Sequence, residues 1–143
     1  MIWILPSNLS SEEIGSEVRG IWLSRSVISQ GRESIHSAFQ ELKHLGINTV
    51  FVNVWYKGKT IYPSQVLEDY GLDNQLDEYG GWDPLKVAVE EGQKIGIKVH
   101  AWFEYGLVGG YAYSSTNDPK PTGLPSKYPD WLMKSREGDS YYT

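Results

Sequence analysis

The feature that most constrains the fold is a pattern that occurs twice, fifty residues apart: an amphipathic helix, then a glycine, then a strand. Both helices carry apolar residues at the i, i+3, i+4, i+7 and i+10 positions, which share one helical face. These residues are Ile35, Ala38, Phe39, Leu42 and Leu45 in the first copy, and Leu85, Ala88, Val89, Gly92 and Ile95 in the second. Two consecutive helix–strand units predict an α/β fold with parallel strands, because each helix returns the chain to the same end of the sheet.

Local signals indicate where these elements begin and end. Gly46 and Gly96 each follow a predicted helix, at the position where a left-handed residue commonly ends one. Asp83-Pro84 is expected to open the second helix, since Asp caps free N–H groups and proline fits the first helical position. Strands are predicted within residues 19–24, 47–55 and 99–104, and a long polar excursion within residues 56–81.

Side-chain alternation along the three strands favours a barrel over a doubly wound sheet. The side expected to face helices carries Ile21 and Leu23, then Val50, Val52 and Val54, then Val99, Ala101 and Phe103. The opposite side carries Gly20, Trp22 and Ser24, then Phe51, Asn53 and Trp55, then His100, Trp102 and Glu104. A doubly wound sheet has helices on both faces, whereas the inner face of a barrel can be polar toward its carboxyl-terminal mouth. The sequence therefore predicts the first three parallel strands of a partial TIM (β/α)8 barrel, with two complete helices and a long excursion between the second strand and the second of those helices.

The composition limits the partners of the chain. Its 143 residues have a formal net charge of -5, and an acidic surface disfavours nucleic acid and anionic membranes. There is no cysteine, so disulfides and thiolate sites are excluded. The 6 Trp and 10 Tyr suit either core packing or a surface that stacks on the C–H faces of sugars. The N-terminal MIWILP is too short to span a membrane and lacks the basic region and cleavage site of a signal peptide.

Several segments, taken in order, resemble one family. They are RGIWLS, ELKHLGINTVFVNVWYKG with the following TIYPS, DPLKVAVEEGQKIGIKVHAWFEYG, and YPDWL. Between Arg19 and Trp131 the chain resembles the glycosyl-hydrolase-like 10 family, formerly DUF187. The resemblance implies a (β/α)8 barrel, a secreted or cell-envelope location, and glycoside hydrolase activity on a bacterial polysaccharide.

The length of the chain is short for that fold. A full barrel takes about 250 residues. Residues 1–18 are therefore expected to be a polar lead-in, and residues 19–143 the N-terminal, incomplete portion of a barrel. Both a fragment of a longer protein and a truncated gene product fit this expectation. Three parallel strands by themselves have two unpaired edges, so the chain alone is expected to self-associate or to be only marginally folded. The resemblance implies glycosidase activity for the full-length form, and the fragment alone is expected to be inactive.

Glu104 is the candidate catalytic residue, because it is the carboxylate predicted at the carboxyl end of a strand on the polar face. Glycoside hydrolysis ordinarily uses two carboxyl groups, and Glu104 is expected either to be one of them or to bind a sugar hydroxyl. The expected substrate-binding residues are Asn53, Trp55, Tyr56, His100, Trp102 and Tyr105. His100 fits a sugar contact and a core histidine equally well. Arg19 and Asn53 suit either substrate hydrogen bonds or the fixing of a polar interior.

No cofactor or metal is expected. His36 and His44 lie on a predicted helix, and no second histidine stands near His100 at ligand spacing. Four acidic residues of the excursion suggest calcium, but they lack the order of EF-hand ligands, so a solvated loop is favoured. They are Asp69, Asp73, Asp77 and Glu78. The expected partner is a polysaccharide or oligosaccharide, bound either by a hydrolase or, alternatively, by a non-catalytic carbohydrate-binding or assembly module.

Overall fold

The computed structural model describes residues 17–56, 58–104, 110–111, 124–134, 136–138 and 141–142. The β-strands are β1 (Gly20–Leu23), β2 (Thr49–Asn53), β3 (Trp55–Tyr56), β4 (Lys59–Thr60), β5 (Lys98–Trp102), β6 (Gly110–Tyr111) and β7 (Tyr141–Tyr142). The α-helices are α1 (Arg25–Ile28), α2 (Arg32–His44), α3 (Gln65–Asp69), α4 (Pro84–Ile95) and α5 (Leu124–Lys127). Short 3-10 turns occupy Asp77–Tyr79 and Pro129–Trp131.

A parallel three-stranded sheet in the order β1-β2-β5 organises the fold. The helices α2 and α4 pack against each other, and the core forms between them and one face of the sheet. Val50, Val52 and Val54 of the central strand region are fully buried there. The prediction of a mixed α/β fold with parallel strands is confirmed, because β2 meets both neighbours in parallel register.

Both predicted helix ends after α2 and α4 adopt the expected geometry. Gly46 and Gly96 have φ values of 77° and 72°, the left-handed region that favours glycine. Ile47 N donates to Leu42 O, and Ile97 N donates to Gly92 O, each at 2.9 Å. These bonds satisfy carbonyl groups that the helix itself leaves unpaired, which ends both helices one turn before the following strand.

The start of α4 is also as predicted. The Asp83 carboxylate accepts a hydrogen bond from Lys86 N at 2.9 Å, and Pro84 occupies the first turn. The cap satisfies an N–H group that has no partner inside the helix, and proline lacks the N–H that would otherwise need one. Local sequence signals alone therefore placed this helix start correctly.

The buried helical faces differ in part from the predicted ones. Ile35, Phe39 and Leu42 are buried, but Leu45 is 65% exposed. Leu45 is the C-cap of α2, and its N–H still donates to Glu41 O at 3.0 Å. The helical period therefore reaches Leu45, but the covered part of the helix does not. On α4 the buried face is rotated away from the predicted stripe, which remains only partly buried at Leu85, Val89 and Ile95. Its buried residues are Pro84, Val87, Ala88, Glu91 and Gly92.

The excursion between β2 and α4 is more ordered than the sequence suggested. It contains the antiparallel hairpin β3-β4, the helix α3 and a 3-10 turn. Ile61, Leu67 and Tyr79 anchor it, with exposed fractions of 0%, 6% and 1%. The excursion is therefore folded over the core by its own apolar residues.

The acidic residues of the excursion are paired with neighbouring side chains. Lys59 lies 2.7 Å from Asp73 and 3.3 Å from Asp77, and its hydrogen bond with Asp73 raises the pKa of Lys59. Gln65 donates to Asp69 at 3.0 Å, and Glu78 lies 3.9 Å from Arg25. Within the described ranges, no group of three or more His, Cys, Asp or Glu residues could hold a metal ion. These carboxylates brace a solvent-exposed loop.

One buried carboxylate joins the two long helices. Glu91 of α4 has a side chain only 10% exposed and accepts hydrogen bonds from Lys94 Nζ at 2.5 Å and from His36 Nδ1 of α2 at 2.7 Å. These two donors, Lys94 first, hold the pKa of Glu91 below its usual value. A buried charge is tolerated here because it is paired and hydrogen-bonded on both oxygens.

We expect the free energy of unfolding to fall in acid partly through Glu91. Its lowered folded-state pKa contributes stability that is fully present above the unfolded value of about 4.3 and is lost as the pH falls through the folded value. Glu91→Gln should flatten this dependence in urea unfolding measured between about pH 3 and pH 7. Glu90→Gln, on an exposed neighbour, is the matched control. An unchanged pH dependence in Glu91→Gln would contradict the assignment.

Candidate functional site

The carboxyl ends of β1, β2 and β5 meet at one edge of the sheet, because the three strands are parallel. The residues that follow these ends are Ser24 and Arg25, then Val54, Trp55 and Tyr56, then Phe103 and Glu104. In open and closed α/β folds, ligands bind at this edge because the loops there carry side chains that the rigid strands position. We call this edge the strand-end site.

Glu104 and Asn53 are brought together at this edge. Asn53 is 3% exposed, and its Nδ2 donates to Glu104 Oε2 at 2.5 Å. Its Oδ1 accepts from the backbone N–H of Trp55 at 3.3 Å. The amide is therefore held from both ends, and it fixes the direction of the half-buried Glu104 carboxylate. No other hydrogen bond to the carboxylate comes from the described part of the chain.

Aromatic rings cover the face of the sheet opposite the helices. Trp22, Phe51 and His100 are partners across the three strands, with ring centroids 5.3 Å apart in each successive pair. Trp102 meets Trp22 edge-on at 6.5 Å. Trp22 is 61% exposed, so this row of rings faces solvent. We call it the open aromatic face, and it leads toward the strand-end site.

His100 lies on the open aromatic face rather than in a core. Its side chain is exposed and contacts the Phe51 ring, and it makes no hydrogen bond to the described residues. The hydrogen bond to a neighbouring strand that a core histidine would make is not present among the described residues. The prediction that it lines the polar side of the sheet agrees with its place in the ring row.

Trp55 does not continue the inward side of β2, which corrects the sequence prediction. The strand β2 ends at Asn53, and Val54 N then donates to Trp102 O at 2.9 Å. The chain turns into the β3-β4 hairpin, where Trp55 contacts the ring of Phe103 at 5.9 Å. Trp55 and Phe103 were predicted on opposite sides, but both lie beyond the last paired residues of their strands, where alternation no longer applies.

The predicted helix-facing side is covered only at its centre. Val50, Val52, Val54 and Leu23 are buried, and Val99 is partly buried against the core. Ile21 and Phe103, by contrast, are 37% and 45% exposed, and Ala101 is exposed as well. Ile21 and Ala101 belong to β1 and β5, the outer strands of the sheet, and Phe103 lies beyond the end of β5.

Arg25 is a strand-end residue that the sequence reasoning missed. Its guanidinium lies 3.4 Å over the ring of Tyr56 and 3.9 Å from Glu78. Arg25 begins α1 directly after Ser24 at the carboxyl end of β1, and that position was the signal that could have identified it. The adjacent Tyr79 is buried, and burial raises the pKa of Tyr79 to about 12, which keeps it a neutral phenol.

Arg19 is at the opposite end of the sheet and is not part of the strand-end site. Its Nε donates to Gly46 O at 2.7 Å, and its Nη1 donates to Glu17 at 3.2 Å. It precedes β1 and braces the loop that enters β2. Of the other predicted site residues, Tyr56 and Trp102 lie at or near the strand ends as expected, and Tyr105 lies outside the described residues.

The parallel sheet thus brings a carboxylate held by Asn53 and several aromatic rings to one edge. The sequence matches the family Glycosyl hydrolase-like 10 over residues 17–142. The chain belongs to that family. It is similar to Glycosyl hydrolase DigH of Escherichia coli (strain K12), at 28% identity over 92% of this chain and 36% of that protein.

A second relative comes from another bacterium. Glycosyl hydrolase YngK of Bacillus subtilis (strain 168) is 25% identical over 87% of this chain and 26% of that protein. The chain thus spans about a third and about a quarter of these two relatives. Across the described ranges, none of the helices has the length and apolar character needed to cross a membrane.

Proposed function

We propose that this chain supplies part of the substrate-binding mouth of a glycoside hydrolase that acts on a bacterial polysaccharide. In this proposal residues 19–143 form the N-terminal portion of a (β/α)8 barrel. Its support is the family membership, the parallel order β1-β2-β5, and helices α2 and α4 that pack on one face only. The observation that carries the proposal is the Asn53–Glu104 hydrogen bond beside the aromatic rings at the strand ends.

The geometry suits the binding of a sugar ring. Pyranoses have apolar C–H faces and polar edges, so a ring such as Trp22 or Trp102 can stack on the face while a carboxylate accepts hydrogen bonds from the hydroxyls. Asn53 contacts only one oxygen of Glu104, Oε2. The other oxygen is then available to a sugar hydroxyl, and Asn53 keeps it oriented.

Glu104 supplies at most one of the two carboxyl groups that glycoside hydrolysis ordinarily requires. We assign it to substrate binding rather than to acid–base chemistry, because its fixed hydrogen bond to Asn53 is the kind of contact that positions a ligand-binding carboxylate. This assignment makes a distinct kinetic prediction.

Glu104→Gln is expected to raise KM for a polysaccharide substrate about tenfold while kcat changes little, because a charged hydrogen bond to a hydroxyl is replaced by a neutral one. The release of reducing ends measures both constants. A fall in kcat of about 10²- to 10⁴-fold would instead assign acid–base chemistry to Glu104. Unchanged constants would remove it from the site. Glu90→Gln, on the exposed side of α4, is the control.

A second candidate function is a non-catalytic carbohydrate-binding or assembly module. The 61% exposed Trp22 favours it, because an open stacking face can bind glycans without any reacting group. Titration of the full-length protein that contains this chain, with oligosaccharides and followed by tryptophan fluorescence, separates the two functions. Saturable quenching without release of reducing ends supports the module, and turnover supports the hydrolase.

A further inference from the structure

A second group of aromatic rings lies apart from the open aromatic face. Tyr70, at the end of α3, contacts Tyr128 at 5.9 Å and Trp131 at 5.8 Å, in both cases edge-on. Tyr128 and Trp131 stack on each other at 4.5 Å with an interplanar angle of 17°. We call these three residues the loop platform. It unites two segments that are more than fifty residues apart in the sequence.

Hydrogen bonds to the backbone fix the arrangement of the loop platform. Lys127 Nζ donates to Tyr70 O at 2.6 Å and to Gly71 O at 3.0 Å. The Tyr128 hydroxyl donates to Tyr70 O at 3.3 Å. Gly71 has a φ of 64°, and a Cβ on it would lie 2.5 Å from Lys127 Nζ, the end of a flexible side chain that would have to shift. The rings are thus pre-organised before any ligand arrives.

The rings remain exposed although they are held in place. Tyr70 is 47% exposed and Trp131 is 50% exposed. A platform that served only to join the two segments would be more stable with these rings covered, because apolar area in water is unfavourable. Rigid, exposed aromatic rings with two side-chain torsions lose little entropy when they bind, which makes them effective contact surfaces.

The position of the platform relates it to the strand-end site. The helix α3 belongs to the excursion that follows β2, and Tyr128 and Trp131 belong to the chain that follows β5. Both segments therefore come after carboxyl ends of neighbouring parallel strands, the edge at which Glu104 and Asn53 lie.

We propose that the loop platform is a second sugar-stacking subsite, which binds a neutral oligosaccharide chain whose other end occupies the strand-end site. The proposal rests on the proposed function and deepens it. The choice of a sugar follows from flat exposed rings in a member of a glycosyl hydrolase-like family. The choice of a neutral chain has two reasons. The protein has a net charge of -5, which disfavours anionic ligands, and Lys127 donates its hydrogen bonds to two carbonyl groups rather than to an anion.

The test compares long with short oligosaccharides on the intact protein by isothermal titration calorimetry. The probes are the hexamers and dimers of β-1,4-linked glucose and N-acetylglucosamine. Tyr70→Ala and Trp131→Ala should each weaken hexamer binding about three- to tenfold and leave dimer binding unchanged. Gly71→Ala should also weaken hexamer binding, since it displaces Lys127 without removing a ring. Val66→Ala, an exposed apolar truncation on the same helix α3, is the matched control and should change nothing.

Three outcomes would overturn the subsite. The first is equal hexamer affinity in wild type and Trp131→Ala. The second is an equal loss of affinity for dimers and hexamers. The third is a Trp131→Ala variant that changes only the sedimentation behaviour, which would make the platform a protein contact. Stronger binding of a galacturonic acid hexamer would overturn its neutral preference. Reducing-end release, measured in parallel, tests the proposed function separately from the subsite. If hexamer binding needs Trp131 but no reducing ends are released, the subsite is supported and the hydrolase is rejected. If reducing ends are released equally with and without Trp131, the hydrolase is supported and the subsite is rejected.

Discussion

Gly92→Ala is expected to destabilise the protein by about 2 kcal/mol, which reverses the usual effect of this substitution. In an exposed helix interior, alanine is more stable than glycine by about 1 kcal/mol. Here an added Cβ would lie 2.7 Å from Ile97 O, 2.7 Å from a methyl carbon of Val99 and 3.3 Å from the Phe39 ring. Two of these neighbours belong to the chain entering β5, so relieving the overlap requires α4 to move away from the sheet.

Urea unfolding monitored by tryptophan fluorescence measures the effect of Gly92→Ala. Gln93→Ala, on the adjacent exposed position of α4, is the matched control and should be neutral or slightly stabilising. If Gly92→Ala were as stable as the control, the close approach of α4 to β5 would be incorrect. The second copy of the helix–strand pattern would then not require glycine at this position.

Asn53→Asp is expected to lower glycan turnover at neutral pH about tenfold or more, because it places a second carboxyl group at hydrogen-bond distance from Glu104. Two carboxylates so close cannot both ionise readily, so one of them takes up a proton. The acidic limb of the pH–rate profile should therefore move to higher pH by about one unit or more.

A pH profile of kcat/KM for wild type and Asn53→Asp tests this expectation. Asn74→Asp makes the same chemical change at an exposed position of the excursion and should leave the profile unchanged. A uniform loss of turnover at all pH values would mean that Asn53 supports folding only, and circular dichroism of the variant distinguishes that case. An unaltered profile would separate Asn53 from the glycan site.

Much of the fold could be predicted because it depends on local requirements. The left-handed residues Gly46 and Gly96 and the cap at Asp83 are set by backbone sterics and by unpaired N–H groups, which a short segment reveals. Alternation also placed Trp22, Phe51 and His100 on one face. It failed at Trp55 and Phe103, because a period of two holds only while strands remain paired, and pairing ends at Asn53 and Trp102.

The candidate site was predictable only as a set of residues. Asn53 and Glu104 were both predicted as site residues from their positions at strand ends. Their hydrogen bond was not predicted, because it joins residues that are fifty-one positions apart in the sequence. Arg25 was missed although it directly follows the strand end at Ser24, because its partner Tyr56 lies on a different segment of the chain. Leu45 was predicted to be buried, but the helical period does not show how far along α2 its packing partners reach.

By itself, the sequence determined the order and parallel direction of β1, β2 and β5, the placement of the two long helices α2 and α4 between them, and the glycines that follow these helices. Each of these follows from periodicity, capping or backbone sterics within about fifteen residues, where chain connectivity keeps the interacting groups together. Only the tertiary structure decided that Asn53 bonds to Glu104, that α4 approaches β5 closely at Gly92, and that Tyr70 contacts Trp131. These contacts join segments far apart in the sequence, and packing of the whole core sets their distances.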